Sequence, residues 1–313
     1  MTDRASALRP VECPIVFLNG AYLPAGEARI SVFDRGFLYG DTIYEVFRTT
    51  EGLPIFLEEH RQRFRRSAEL AAFPSGWERY DLAAVTSGLL RRCDLTEARV
   101  RVTVSRGLDG PEGEGDPTWV ASAVAFAGYP AEWYEQGVRA ALVTVSRQAA
   151  GTLSPEIKSG NLLSMQLARR EAHRAGAVEG IMLNQAGRVA EGTMSTVFWV
   201  RDGVLRTPAL AVGILPGVTR AKVLEIARAG PAGLLPESAA GRTAGGGGTI
   251  RSVEEVQTGP EELAEADELF LTSTSFEVLP VTSLGERPVG TGRPGPVAAD
   301  LRRRLRALYP SRR

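Results

Sequence analysis

EIKSGNLL, residues 156–163, carries Lys158, one of only two lysines in the chain; VAEGTMSTVF follows at 189–198 and GILPGVTR at 213–220. In the first run, Ile157 and the apolar pattern downstream place Lys158 at the end of a buried strand. A lysine there loses hydration, and its amine becomes nucleophilic. The second run sets Glu191 between two strand patterns. The third opens a helix on Gly217, Val218 and Thr219, so unpaired backbone N–H groups and the helix dipole point at an anion, with the Thr219 hydroxyl as a further donor. Each feature alone is commonplace: a surface lysine, an acid before a turn glycine, a helix start. Together they supply an amine, a carboxylate and a helix start suited to an anion.

Composition narrows the class. The 313 residues suffice for two domains with a sizeable core. Hydrophobic residues make up 43% and charged residues 24%, ordinary values for a globular protein. Basic and acidic residues balance at 37 each, so no global field draws nucleic acid or an anionic membrane. Cys13 and Cys93 are too few and too far apart for a disulfide framework or a zinc site, which suits a reducing cytoplasm. The first 15 residues include Asp3 and Glu12 and lack an apolar core, so no signal peptide is expected. No apolar run is long enough for a transmembrane helix.

The chain reads as two α/β domains: 1–127, a linker at 128–137 where Pro and Gly cluster, and 138–313. In the first, IVFLNGAYL (15–23) turns at Asn19–Gly20, ARISVFDRG (28–36) reads as a strand, and DTIYEVFRTTEGLPIF (41–56) turns at its TEG. Helices are expected from Leu57 to about Phe73 and from Asp81 to Arg92, then strands ARVRVTVSRG (98–107) and WVASAVAFAG (119–128), separated by the acidic glycine-rich loop 109–117. In the second, VRAALVTVS (138–146) is a strand and Asn161–Ala175 a helix stopped by Gly176. Strands EGIMLN, TMSTVFWV and GVLRTP follow, then a helix from Val218 to Ala229. The Pro-, Ala- and Gly-rich stretch at about 231–248 reads as a flexible insertion. ELAEADELFLTST gives a helix and a strand, and a basic amphipathic helix closes the chain. His60 and His173 lie in separate helices without metal-ligand spacing and are expected to be structural.

Together with ADELFLTST at 266–274, the three opening runs resemble the class IV (fold type IV) aminotransferases. That family includes branched-chain and D-amino-acid aminotransferases and aminodeoxychorismate lyase, and the resemblance spans about 14–300 apart from the insertion. It implies a two-domain α/β (α+β) fold with pyridoxal 5'-phosphate (PLP) in the cleft between domains. By that resemblance Lys158 is the catalytic residue: it holds the cofactor as a Schiff base (internal aldimine), then shuttles a proton as a free amine. Glu191 faces the pyridine nitrogen and keeps it protonated, so the ring accepts electrons. Gly217, Val218, Thr219 and Arg63 (in EEHRQRF) take the phosphate, with Thr274 in LTSTSFE reaching phosphate and substrate carboxylate. Leu215 packs against the ring. Thr196 departs from the asparagine common at its position. Without the resemblance, Arg63 reads as one more arginine on an exposed helix face, and Leu215 as core filling.

On the substrate side, Tyr39 and Tyr44 match pocket aromatics, Thr274 and Ser275 a carboxylate-binding turn, and Arg48 and Arg101 arginines near the carboxylate. Arg48 paired with Glu45 is the structural alternative. The Arg-x-His that traps the carboxylate in well-known D-amino-acid enzymes is missing from RGLDGPEGEGDPTW, whereas Leu162 is typical of those enzymes. The resemblance therefore implies a transaminase passing an amino group to 2-oxoglutarate or pyruvate, leaning to D-amino acids or broad specificity. Branched-chain L-amino acids, (R)-amines, and a lyase acting on aminodeoxychorismate are the alternatives. It further implies a homodimer in which Tyr39 and the loop 107–117 reach the partner.

Overall fold

A computed structural model of the protein describes residues 13–110, 113–147, 153–230 and 250–311. The expected insertion at 231–248 lies outside the described residues. These divide into two compact units. The first runs to Gly128 and includes Ile157–Asn161 and the chain end from Tyr309; the second comprises Tyr129–Glu156 and Leu162–Leu308. The lysine segment thus groups with the first unit, whereas sequence reading assigns it to the second domain.

In the first unit, β1 (Ile15–Leu18) and β2 (Ala21–Pro24) join through Asn19 and Gly20, with φ of 46° and 97°. Both residues tolerate the left-handed backbone that a two-residue hairpin needs. β3 (Thr42–Thr50) turns likewise through Glu51 and Gly52 into β4 (Leu53–Pro54). With β5 (Ala98–Ser105) and β6 (Thr118–Ala125) they form an antiparallel sheet in the order β2-β1-β6-β5-β3-β4. One face of β3 and β5, bearing Ile43, Glu45, Phe47, Val100, Val102 and Val104, is buried. Helix α1 (Leu57–Leu70) supplies His60, Phe64, Ser67 and Ala68 to that interior, and α2 (Leu82–Cys93), capped by Asp81, adds Val85 and Leu89. The opposite face carries Tyr44, Arg48, Arg99, Arg101 and Thr103, as the two-residue pleat requires.

Two expectations fail in this unit. Residues 28–36 form no strand. Asp34 instead caps a five-residue helix, Arg35–Tyr39, through Gly36 N–H (2.8 Å), and also accepts the hydroxyls of Ser105 (2.9 Å) and Thr118 (2.7 Å). The local bond from Gly36 N–H, backed by the two distant hydroxyls, competes successfully with a ladder. Cys13 and Cys93 are not far apart in space: they are disulfide-bonded, with Cα atoms 5.4 Å apart.

The second unit is built on a mixed nine-stranded sheet. Its strands are β7 (Val138–Leu142), β8 (Glu179–Leu183), β9 (Val189–Gly192), β10 (Thr196–Arg201), β11 (Val204–Pro208), β12 (Ser252–Val256), β13 (Glu268–Ser273), β14 (Glu277–Leu284) and β15 (Arg287–Pro288). The order is β9-β8-β7-β14-β13-β10-β11-β12, with β15 on β14. Ile181, Val197, Trp199, Leu269, Leu271 and Leu279 form its core. Helix α3 (Leu163–Arg174) packs Ala168 and Ala172 on β7 and β8 through Ala141 and Met182. Helix α4 (Val218–Arg228) follows β11. Helix α5 (Pro296–Arg306) buries Val297, Ala298, Leu301 and Leu305, and the Glu268 carboxylate accepts its Val297 and Ala298 N–H groups. Among the described residues no helix is long and apolar enough to cross a membrane.

Candidate active site

Lys158 lies in a loop rather than at the end of a strand; its neighbour Ser159 makes a single bridge to Ile43. Its peptide is held at both ends. Tyr44 N–H donates to Lys158 C=O (2.9 Å), and Lys158 N–H donates to Ser67 Oγ (3.0 Å). The side chain is partly exposed, with Nζ 4.5 Å from the centre of the Tyr44 ring. The buried Tyr44 ring also stacks beneath the Arg101 guanidinium, at 3.9 Å. Lys158, Tyr44 and Arg101 are therefore brought together.

Arg63 is not on an exposed face. Its Nε and Nη2 donate to the two oxygens of Glu45, at 2.8 and 2.7 Å, and His60 Nδ1 lies 2.8 Å from Glu45 Oε2. Burial opposes ionisation of Glu45, but Arg63, through charge and hydrogen bonds, and His60 outweigh it, leaving the carboxyl well below its ordinary range. Burial in turn pushes the His60 imidazolium down. Arg48 does not pair with Glu45, because the two point to opposite faces of β3. Its guanidinium lies 5.2 Å from the Phe126 ring centre, and Arg99, its cross-strand neighbour, lies 5.1 Å from the same ring. Tyr39 is 64% exposed, with Arg35 over its ring.

In the second unit, Glu191 sits within β9 rather than between strands, and is buried. One oxygen accepts Leu215 N–H at 3.2 Å. The other is 2.5 Å from Arg147 Nε, an ion pair without the alignment of a hydrogen bond. Gly217 begins α4, and no side chain caps that helix. A Cβ at Gly217 would sit 3.2 Å from Thr196 Oγ1 and 3.3 Å from Arg220 Cβ, so a side chain there would crowd the helix entrance. Val218 and Thr219 are buried in its first turn. Thr274 and Ser275 occupy the partly buried turn between β13 and β14, where Phe276 N–H donates to Ser273 Oγ at 3.0 Å.

The sequence profile of the class IV amino-transferases matches residues 42–239. The chain belongs to this family. This class IV aminotransferase is 32% identical to a putative branched-chain-amino-acid aminotransferase of Methanocaldococcus jannaschii, over 94% of the chain and 96% of the relative. It is also 32% identical to a D-alanine aminotransferase of Staphylococcus haemolyticus, over 95% of the chain and 98% of the relative. Among solved structures it superposes on a T.th. branched-chain amino acid aminotransferase with pyridoxamine 5'-phosphate (TM-score 0.81, 28% identity, 96% of this chain and 95% of that one). The enzyme is PLP-dependent, and its residues fit that group: a partly exposed lysine, a buried carboxylate, and an uncapped helix start where glycine leaves room for an anion.

Sequence reading missed Arg147 and Ser67, and it weighed Glu45 only against Arg48 rather than Arg63. Arg147 falls in the run VSR at 145–147 with no periodic signal. Glu45 and Ser67 gain meaning only from partners distant in sequence.

Proposed function

We propose that this aminotransferase moves an amino group from an amino acid to a 2-oxo acid such as 2-oxoglutarate or pyruvate, with a lean to D-amino acids or broad specificity. PLP supplies the electron sink when bound. Lys158 would carry it and move the proton, Glu191 would pair with its ring nitrogen, Arg63, Thr274 and the start of α4 at Gly217, Val218 and Thr219 would hold its phosphate, and Leu215 would pack against it. Arg101 anchors the substrate carboxylate beside Tyr44, assisted by Thr274 and Ser275. The observation that carries this reading is the Tyr44 ring, which bears the Lys158 amine on one contact and the Arg101 guanidinium on another. A carboxylate held by Arg101 lies near the amine that must reach the adjacent carbon. Arg48, set over Phe126, is the less suitable anchor.

A second reading, with branched-chain L-amino acids as donors, is favoured by the relatives of that name. Initial rates with D- and L-alanine, D- and L-leucine and (R)-phenylethylamine separate them. Turnover confined to L-leucine would overturn the first reading. Pyruvate release from aminodeoxychorismate without an amino acceptor would replace both.

Homodimer formation is part of the proposal. Ile30, Val32, Phe33, Phe37, Leu38 and Tyr39 are all about half exposed or more, and so many apolar side chains within ten residues mark a surface that associates. Sedimentation of a fully active monomer would contradict it.

A further inference from the structure

We infer that Ser67 is a positioning residue for Lys158: its buried hydroxyl latches the backbone of the reactive lysine to α1, the helix that also carries Arg63. Ser67 has no exposed surface. Its Oγ accepts the Lys158 N–H at 3.0 Å from a point 91 residues away in sequence. A serine inside a helix ordinarily faces solvent or bonds its own helix. Here the hydroxyl serves a foreign loop.

Two further ties of that loop share the same frame. Tyr44 N–H holds the Lys158 carbonyl, and Gly160 N–H donates to Thr42 C=O at 3.0 Å. The next residue of β3, Glu45, grips Arg63, which lies one helical turn before Ser67. Thus β3, through Thr42 and Tyr44, and α1, through Ser67, both bind the lysine loop, and each supplies one member of the Glu45–Arg63 pair. Losing the Ser67 hydroxyl leaves a partly buried N–H without its protein partner and frees one end of the lysine peptide, which raises the number of positions the amine samples. Overpacking does not arise on substitution by alanine, which is smaller and favours helix.

The inference rests on Lys158 carrying the cofactor, and its test keeps the two separable. Ser67→Ala, Ser67→Thr and Lys158→Ala are compared. In apoprotein, acetylation of Lys158 relative to Lys222 is followed by mass spectrometry, with Lys222 as the internal reference. In holoenzyme, the rate of PLP release is measured. Ser67→Ala is expected to raise the Lys158 to Lys222 labelling ratio and to speed PLP release about tenfold, equivalent to about 1.4 kcal/mol. Ser67→Thr, which keeps the hydroxyl, should restore both. If Ser67→Ala lowers only the unfolding temperature and leaves both readouts at wild-type values, the latch is purely structural and the inference fails. If Lys158→Ala retains borohydride-fixed cofactor, the prior reading of Lys158 fails instead.

Discussion

Glu45 grips Arg63 with both carboxylate oxygens, 2.8 and 2.7 Å from Nε and Nη2, with the carboxylate fully buried and the guanidinium nearly so. Breaking one side of a buried pair costs roughly 3–5 kcal/mol, because the remaining charge is left uncompensated. Glu45→Gln should therefore lower the unfolding midpoint clearly and, by loosening Arg63, weaken PLP binding. A variant as stable as wild type in a thermal melt would show that the pair contributes little.

The same cluster gives a pH dependence with a definite sign. His60 takes up protons less readily when folded, so its contribution to stability falls as pH drops below the ordinary value of 6.5. Glu45 is lowered, so its contribution is complete above 4.5 and is lost as pH falls from there towards its folded value. Stability should thus decline in two stages on acidification. His60→Gln should flatten the first stage, and denaturant midpoints at pH 7, 5.5 and 4 measure both. An unchanged first stage in that variant would remove His60 from the explanation.

Glu191→Gln should leave covalent attachment of the cofactor intact but slow turnover by about 10²–10³, the effect of losing one preorganised electrostatic contact, roughly 3–4 kcal/mol. Activity within about threefold of wild type would take Glu191 out of the site.

Replacing Arg101 by Ala should raise the Michaelis constant for amino acids while sparing (R)-phenylethylamine, which has no carboxylate. A hydrogen bond to a charged group contributes roughly 1.5–3 kcal/mol, so the selectivity should change about tenfold to a hundredfold. Arg48→Ala should alter both donors alike. Equal losses for both donors in the Arg101 variant would leave the turn at Thr274 and Ser275 as the sole anchor.

The Cys13–Cys93 bond closes a loop of 80 residues, and a loop of that length stabilises a fold by roughly 2–4 kcal/mol. Cys93→Ser should lower the unfolding temperature of the oxidised protein to that of the reduced wild type. Thiol titration of non-reduced protein that finds two free cysteines would contradict the pairing.

Features set by neighbouring residues were legible in the sequence. Asn19–Gly20 and Glu51–Gly52 announced hairpins, and local patterns placed α1, α2, α3 and α4, the second of them beginning at Asp81. Features set by distant partners were not. Residues 28–36 alternate as a strand does, yet Asp34 finds Ser105 and Thr118 and ends the pattern. β14, central in its sheet, contains Pro280 and has no polar alternation to mark it. The site divides in the same way: Lys158, Glu191 and the α4 start sit in recognisable runs, whereas Arg147, Glu45 and Ser67 depend on contacts that only the folded chain creates.

The most direct measurement is reduction of the holoenzyme with tritiated borohydride, followed by peptide mapping. The tritium and the cofactor should be found on the peptide containing Lys158, and Lys158→Ala should retain neither covalently. Label on Lys222, the chain's other lysine, or undiminished label in the Lys158 variant, would contradict the assignment of Lys158 as the residue that carries the cofactor.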